Sequence, residues 1–214
     1  MFNLVKNKSS LNILCLGAHP DDIEIGCGGV ILRIIEEYKN VHFFWVIFSA
    51  EEDRKIEANN SAKNFLKKAK SKKLNIEDFR ENYFPFIGTS IRDYFTQLKN
   101  LYTPDIIFTH YHNDAHQDHR LISNFTWNTF RNHLILEYEI PKYDGDLGSP
   151  NLFFPLIESI CQKKIKHILK NFNTQKIKHW FTEDTFFSLL RLRGIESNSP
   201  SKYAEAFYCR KIIF

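Results

Sequence analysis

A chain of 214 residues, 43% hydrophobic and 15% aromatic, can bury one substantial core but falls short of the length at which domains multiply, so residues 1–214 read as a single domain. The 29 Lys and Arg exceed the 25 Asp and Glu by four, yet the densest run, Lys63 to Lys73, has no Arg or aromatic interleaving; it reads as the solvated face of a helix rather than a nucleic-acid or membrane surface. No stretch approaches membrane-spanning length, Met1 to Ser10 lacks the apolar core of a signal peptide, and the four cysteines form no C-x-x-C pair, so a soluble, cytoplasmic protein with reduced thiols is expected.

Leu11 to Gly17 is a short apolar run ending at Gly and His, the pattern of a buried parallel strand, and Gly28 to Glu37 switches to helical periodicity. Val41 to Phe48 is a second such strand. Glu57 to Lys70 then sets Ala58, Ala62, Phe65, Leu66 and Ala69 on one helical face. Tyr83 to Ile87 reads as a short strand, Ile91 to Leu101 as a helix with Tyr94, Phe95 and Leu98 inward, and Pro104 to Thr109 as a strand that runs into a histidine cluster. Arg120 to Phe130 resumes a helix and His133 to Glu139 a strand. The final third is less regular: helices over Glu158 to Lys170 and Thr185 to Arg193, a closing strand over Tyr208 to Phe214, and a linker-like Gly145 to Pro150. Strands alternating with helices predict an α/β fold, a Rossmann-like three-layer sandwich with a mostly parallel sheet, whose ligands sit beyond the carboxyl ends of strands.

Two segments at such ends carry the chemistry. His19 and Asp22 lie three apart across Pro20, whose fixed φ stiffens the loop, so both side chains can converge on one ion. A helix cap at Asp21 or Asp22 would not by itself call for the His-Pro-Asp-Asp combination. The second segment, His110 to His119, packs four histidines and two aspartates into ten residues, and within it His116-Gln117-Asp118-His119 offers a metal ligand, a carboxylate and an acid/base imidazole. Both segments are rich in His and Asp and poor in Cys, which favours an open, water-activating metal site over a closed structural zinc. His110 and His112 read as surface or supporting residues, and His133, His167 and His179 as ordinary exposed ones. Gly26, Gly28 and Gly29 do not have phosphate-loop spacing; close helix-to-strand packing accounts for them better.

The segments Gly17 to Gly29 and Asn113 to Arg120 resemble the two signature motifs of the PIG-L/LmbE family, metal-dependent de-N-acetylases of N-acetylglucosamine-type sugars and related amides. Arg54 to Glu57, Lys164 to Gln175 and Tyr203 to Phe207 resemble further family segments, so the likeness runs the length of the chain. The resemblance implies that His19, Asp22 and His119 bind Zn2+, a ligand set that also suits Fe2+ or Co2+. It implies Asp21 as general base, and His116 facing the substrate carbonyl with Asp118 behind it. Arg54, Glu57, Asp114 and Arg193 are candidates for binding sugar hydroxyls, each equally readable as a structural ion pair. The implied partner is a small-molecule or glycan substrate, nucleotide-, lipid- or glycan-linked, with no nucleic acid and no stable membrane insertion; homo-oligomerisation is left open. Two rivals stand beside this reading: an amidase acting on a thiol conjugate or antibiotic precursor, and a sugar-binding protein that has lost catalysis. Intact ligand and base positions count against the second. Ser49 to Asp53 departs from the glycine-containing loop of the family, and Thr174-Gln175 replaces its Ser-Gln, so substrate contacts at the loop are not carried over.

Overall fold

The computed structural model describes residues 9–212; most of the signal-peptide reading at Met1 to Ser10 and the end of the Tyr208 to Phe214 strand lie outside those residues. Strands β1 (Leu11–Gly17), β2 (Val41–Ile47), β3 (Ser71–Ile76), β4 (Ile106–His110), β5 (Leu134–Tyr138), β6 (Leu152–Leu156) and β7 (Tyr203–Tyr208) form one seven-stranded sheet in the order β3-β2-β1-β4-β5-β7-β6. The first five are mutually parallel, and β7 runs antiparallel to β5 and β6. Side chains alternate across the sheet: Ile13, Cys15, Phe43 and Trp45 feed one core, Leu14, Leu16, Val46 and Phe48 the other. Helices α1 (Asp22–Glu37) and α2 (Glu52–Phe65) cover the first face, and α3 (Gly88–Leu101) and α4 (Gln117–Thr129) the second. Helices α5 (Glu158–Asn171) and α6 (Glu183–Glu196) complete the first layer. This is the expected three-layer α/β sandwich.

From β1 the chain steps outward through β2 to β3, then returns to lay β4 and β5 on the other side of β1. The reversal leaves a crevice beyond the carboxyl ends of β1 and β4, the place where open α/β sheets bind ligands. Both signature segments leave those two strands. Three glycines bring α1 close to its neighbours: a Cβ on Gly26 would sit 2.1 Å from the Tyr138 ring, one on Gly28 2.9 Å from the Phe65 ring, and one on Gly29 2.4 Å from Leu156 and 2.9 Å from the Glu205 carboxylate.

Several elements differ from the sequence reading. Tyr83 to Ile87 is not a strand; Phe84–Ile87 is a 3-10 helix, because Pro85 has no N–H for a ladder and suits a first helical turn. Helix α2 ends at Phe65, so the lysine run does not lie on one helix face: Lys72 and Lys73 belong to the edge strand β3, where lysines discourage pairing with other chains. Pro155 hid β6, a strand that tolerates proline because it is the outermost member of the sheet. The closing strand is Tyr203–Tyr208 and precedes the expected one. Helix α1 begins at Asp22 rather than Gly28, since its glycines mask the helical period. His133 and His167 are half-buried against Phe130 and Phe65 rather than exposed. No helix among the described residues is long and apolar enough to cross a membrane.

Candidate metal centre

His19 and Asp22 come from the turn between β1 and α1, and His119 from the first turn of α4; they are 6%, 4% and 3% exposed. His19 Nδ1 lies 3.2 Å from His119 Nε2 and 3.6 Å from Asp22 Oδ2, and His119 Nε2 lies 3.6 Å from Asp22 Oδ1. A tetrahedral ion with bonds of ~2.1 Å has ligand–ligand edges of ~3.4 Å, so the two imidazole nitrogens and the two Asp22 oxygens are spaced as donors to one divalent ion would be. The donor chemistry, two imidazoles and a carboxylate without cysteine, suits a metal that keeps a coordination position open.

The remaining nitrogen of each histidine is held by a carboxylate. His19 Nε2 faces Asp118 Oδ2 at 3.1 Å, and His119 Nδ1 faces Asp114 Oδ2 at 3.0 Å. Such pairing fixes ring orientation, and in a histidine that binds a metal it would keep the proton on the nitrogen turned away from the metal. Asp118 also accepts the backbone N–H groups of Asn82 at 2.6 Å and Phe84 at 3.2 Å, and Asp114 is anchored by Lys142 at 3.1 Å. Asp22 Oδ2 accepts the His19 N–H at 2.7 Å and lies 3.2 Å from His110 Nε2. His110 is fully buried and its Nε2 takes the Ala18 N–H at 2.9 Å, so it is a supporting residue of this centre rather than a surface one.

These contacts set the electrostatics. Burial alone would raise the Asp22 carboxyl, but His119, His110 and His19 together hold it well below the usual carboxylate range. Burial likewise opposes ionisation of Asp114 and Asp118, and contact with His119 and with His19 respectively reverses the direction and lowers both. Burial, then the nearby His119, pushes His110 down to about 4; burial, His119 and His19 push His116 down to about 4. Asp21 goes the other way. Burial raises it to about 8 against the opposing pull of Arg54.

Asp21 is the N-cap of α1 in the left-handed region, φ 89°, a conformation uncommon for a non-glycine residue. Arg54 holds the turn there, donating to Pro20 O at 2.8 Å and lying 3.4 Å from Asp21 Oδ1. His116 is the N-cap of α4, and its Nδ1 accepts the Asp118 N–H at 3.2 Å. A neutral His116 therefore carries its proton on Nε2 and can donate from it. The expected order of Asp118 behind His116 is not what the fold brings together: the Asp118 carboxylate reaches His19, and only its backbone amide meets His116.

Residues 14–130, over half of the chain, match the family described as PIG-L, GlcNAc-PI de-N-acetylase. The chain belongs to this family. It is therefore an enzyme of a deacetylase family. The chain is also similar to the uncharacterized deacetylase YaiS of Escherichia coli K12, 29% identical over 141 residues that cover 61% of this chain and 74% of that one. The fold is shared with the N,N'-diacetylchitobiose deacetylase of Pyrococcus horikoshii at TM-score 0.67 and 19% identity, covering 97% of this chain and 87% of that one. It is shared equally with GalB, the 4-carboxy-2-hydroxymuconate hydratase of Pseudomonas putida KT2440, at TM-score 0.69 and 15% identity over 95% of this chain and 98% of that one. One fold serves both an amide hydrolase and a hydratase, so in this PIG-L member the reaction must be argued from the site.

A cleft of about 190 Å³ opens above the donors. Among the residues first considered for sugar binding, Arg54 lines it. Glu57 instead caps the turn after α5, accepting Thr174 N–H at 2.9 Å and Thr174 O–H at 2.6 Å. Asp114 is 2% exposed behind His119, and Arg193 is 3% exposed and clamped on Glu139 by two bonds of 2.9 and 2.7 Å. Sequence reasoning did not single out Lys142, Tyr143, Lys178 and Trp180, which also line the cleft. They come from irregular segments with no local pattern; the one signal was Lys142 lying among Asp144 and Asp146, with both of which it pairs.

Proposed function

We propose that this protein is a zinc-dependent hydrolase that removes the acetyl group from an N-acetylated amino sugar of the N-acetylglucosamine type, borne on a nucleotide, lipid or glycan. The observation that carries the reading is the cluster of His19, Asp22 and His119 donor atoms at the bottom of a cleft that the Asp21 carboxyl and the His116 imidazole also line. His19, Asp22 and His119 would hold the divalent ion, which would supply Lewis acidity to the acyl carbonyl and to a water.

The chain's own groups do the rest. Asp21 takes the proton of the attacking water and returns one to the leaving amine nitrogen. His116 Nε2–H donates to the carbonyl oxygen as negative charge grows on it. Asp118 and Asp114 keep the His19 and His119 rings aimed, and Arg54 holds the strained Asp21 turn in place. The aromatic rings of Tyr143 and Trp180 at the mouth give a pyranose ring apolar faces to rest on, and Arg54 and Lys178 beside them offer donors to its hydroxyls or to a charged carrier group. Glu57 and Arg193 are then support for the loops around the cleft.

The test is acetate release from the zinc-loaded protein with free N-acetylglucosamine, its nucleotide diphosphate conjugates and N-acetylated oligosaccharides. Release from one of these supports the sugar assignment. Release only from thiol-conjugate or peptide-like amides would keep the hydrolase chemistry and remove the sugar from it.

A further inference from the structure

The apolar surface of the cleft is of two kinds. Tyr143, 63% exposed, and Trp180 stand at the mouth, while Ile25 and Ile140, each 4% exposed, close the floor. Ile25 lies one turn beyond Asp22 on α1. Ile140 follows two residues after Tyr138, whose hydroxyl lies 3.2 Å from His110. Behind this floor is a second cavity of about 20 Å³, room for roughly one water. Ile25 also lines that cavity, together with Leu190 and Ala206 and the charged Glu139, Lys164, Arg193 and Glu205.

We propose that Ile25 and Ile140 form an acyl-length gate, which accepts the methyl of an acetyl group and rejects longer acyl chains by walling off the cavity behind. The inference rests on the deacetylase reading above, and on the geometry of an amide. A secondary amide is planar and trans, so its acyl carbon and its nitrogen substituent extend in opposite directions from the carbonyl. With the carbonyl against the His19, Asp22 and His119 donors and His116, and the bulky amine part at the open mouth, the methyl faces inward. Ile25 and Ile140 are the apolar side chains there. A butyryl chain would have to displace Ile25 or Ile140, and the cavity on the far side of Ile25 turns charged groups toward it; the packed interior gives way poorly to added methylenes.

The experiment compares N-acetyl-, N-propionyl- and N-butyryl-glucosamine as substrates of the zinc-loaded protein, and independently measures calorimetric binding of acetate, propionate and butyrate. In the wild type, kcat/KM should fall on the order of 10–200-fold per added methylene, the usual cost of misfit in an apolar pocket. Ile140→Ala should raise the butyryl-to-acetyl ratio by at least ~10-fold, with Ile140→Val shifting it less and serving as the better-folded control. Carboxylate affinities should follow the same order. Unchanged chain-length ratios in folded Ile140→Ala and Ile140→Val, or a wild type that takes butyryl as readily as acetyl, would overturn the gate. If no amide is cleaved, the deacetylase reading fails, and the carboxylate series still decides the gate: equal affinities for acetate and butyrate in wild type and Ile140→Ala would sink it.

Discussion

Two buried polar clusters hang on helix α1 about two turns apart, and they differ in whether they close. In the lower one, Lys164 Nζ donates to Glu205 Oε1 and Ile25 O, both at 2.6 Å, while the same carboxylate accepts the backbone N–H groups of Gly29 and Val30 at 2.8 and 2.7 Å. One positive charge meets one negative charge, and the carboxylate is fully engaged. In the upper cluster the outward-turned nitrogens of His19 and His119 each face a carboxylate, yet the inward atoms of His19, Asp22 and His119 face one another across 3.2 to 3.6 Å. A closed network is a device for folding. An open one leaves donor capacity for something from outside, which is what a metal site requires.

The contrast is broken most directly by His119→Ala, which should abolish metal retention and with it measurable turnover while leaving the fold intact by circular dichroism. A full equivalent of zinc in the variant, by elemental analysis, would show that the triangle is not the ligand set. Next in size, Asp21→Asn should keep the metal and lose roughly 10²–10⁴-fold in kcat, since the amide cannot accept the water's proton. Near wild-type turnover would remove Asp21 from that role.

The closed cluster should answer to stability instead. Lys164→Met leaves the Glu205 charge buried with backbone donors alone and should cost about 3–5 kcal/mol in denaturant unfolding, with kcat per folded molecule little changed; Lys164→Met with Glu205→Gln should recover part of the loss. A rate loss without a stability loss would place Lys164 in the chemistry. The smallest effect sharpens a pairing within the open cluster. Asp118→Asn should weaken metal binding by roughly 10–100-fold, because its carboxylate orients His19, the ligand proposed above. Unaltered affinity with reduced kcat would return Asp118 to a role through His116.

Local pattern made much of this legible. The apolar runs of β1, β2 and β4 declared themselves because a parallel strand is buried on both faces, and the His and Asp density after two of them marked the crevice where the strand order reverses. The partners behind the ligands were out of reach. Asp118 and His19 are 99 residues apart, and Lys142 meets Asp114 from an irregular loop, so only the closed fold assigns them. His110 was undervalued because a histidine at a strand end looks the same in sequence whether it faces water or the interior. The edge strands β3 and β6 failed for a related reason: paired on one side only, they admit lysines and a proline that a central strand would exclude.

The backbone of Asp21 sets a limit on how stable this protein can be while it works. At φ 89° the residue occupies ground that suits glycine, and the surrounding turn, tied by Arg54 and by the His19 N–H bond to Asp22, keeps it there. Asp21→Gly should fold at least as firmly as the natural chain, whereas Asp21→Ala should be less stable than the glycine variant by about 1–2 kcal/mol, both being inactive. Melting temperature and turnover would then move in opposite directions at a single position. A search for thermostable variants that screened on folding alone would be drawn to this residue, and would discard the carboxyl for which the strain is tolerated.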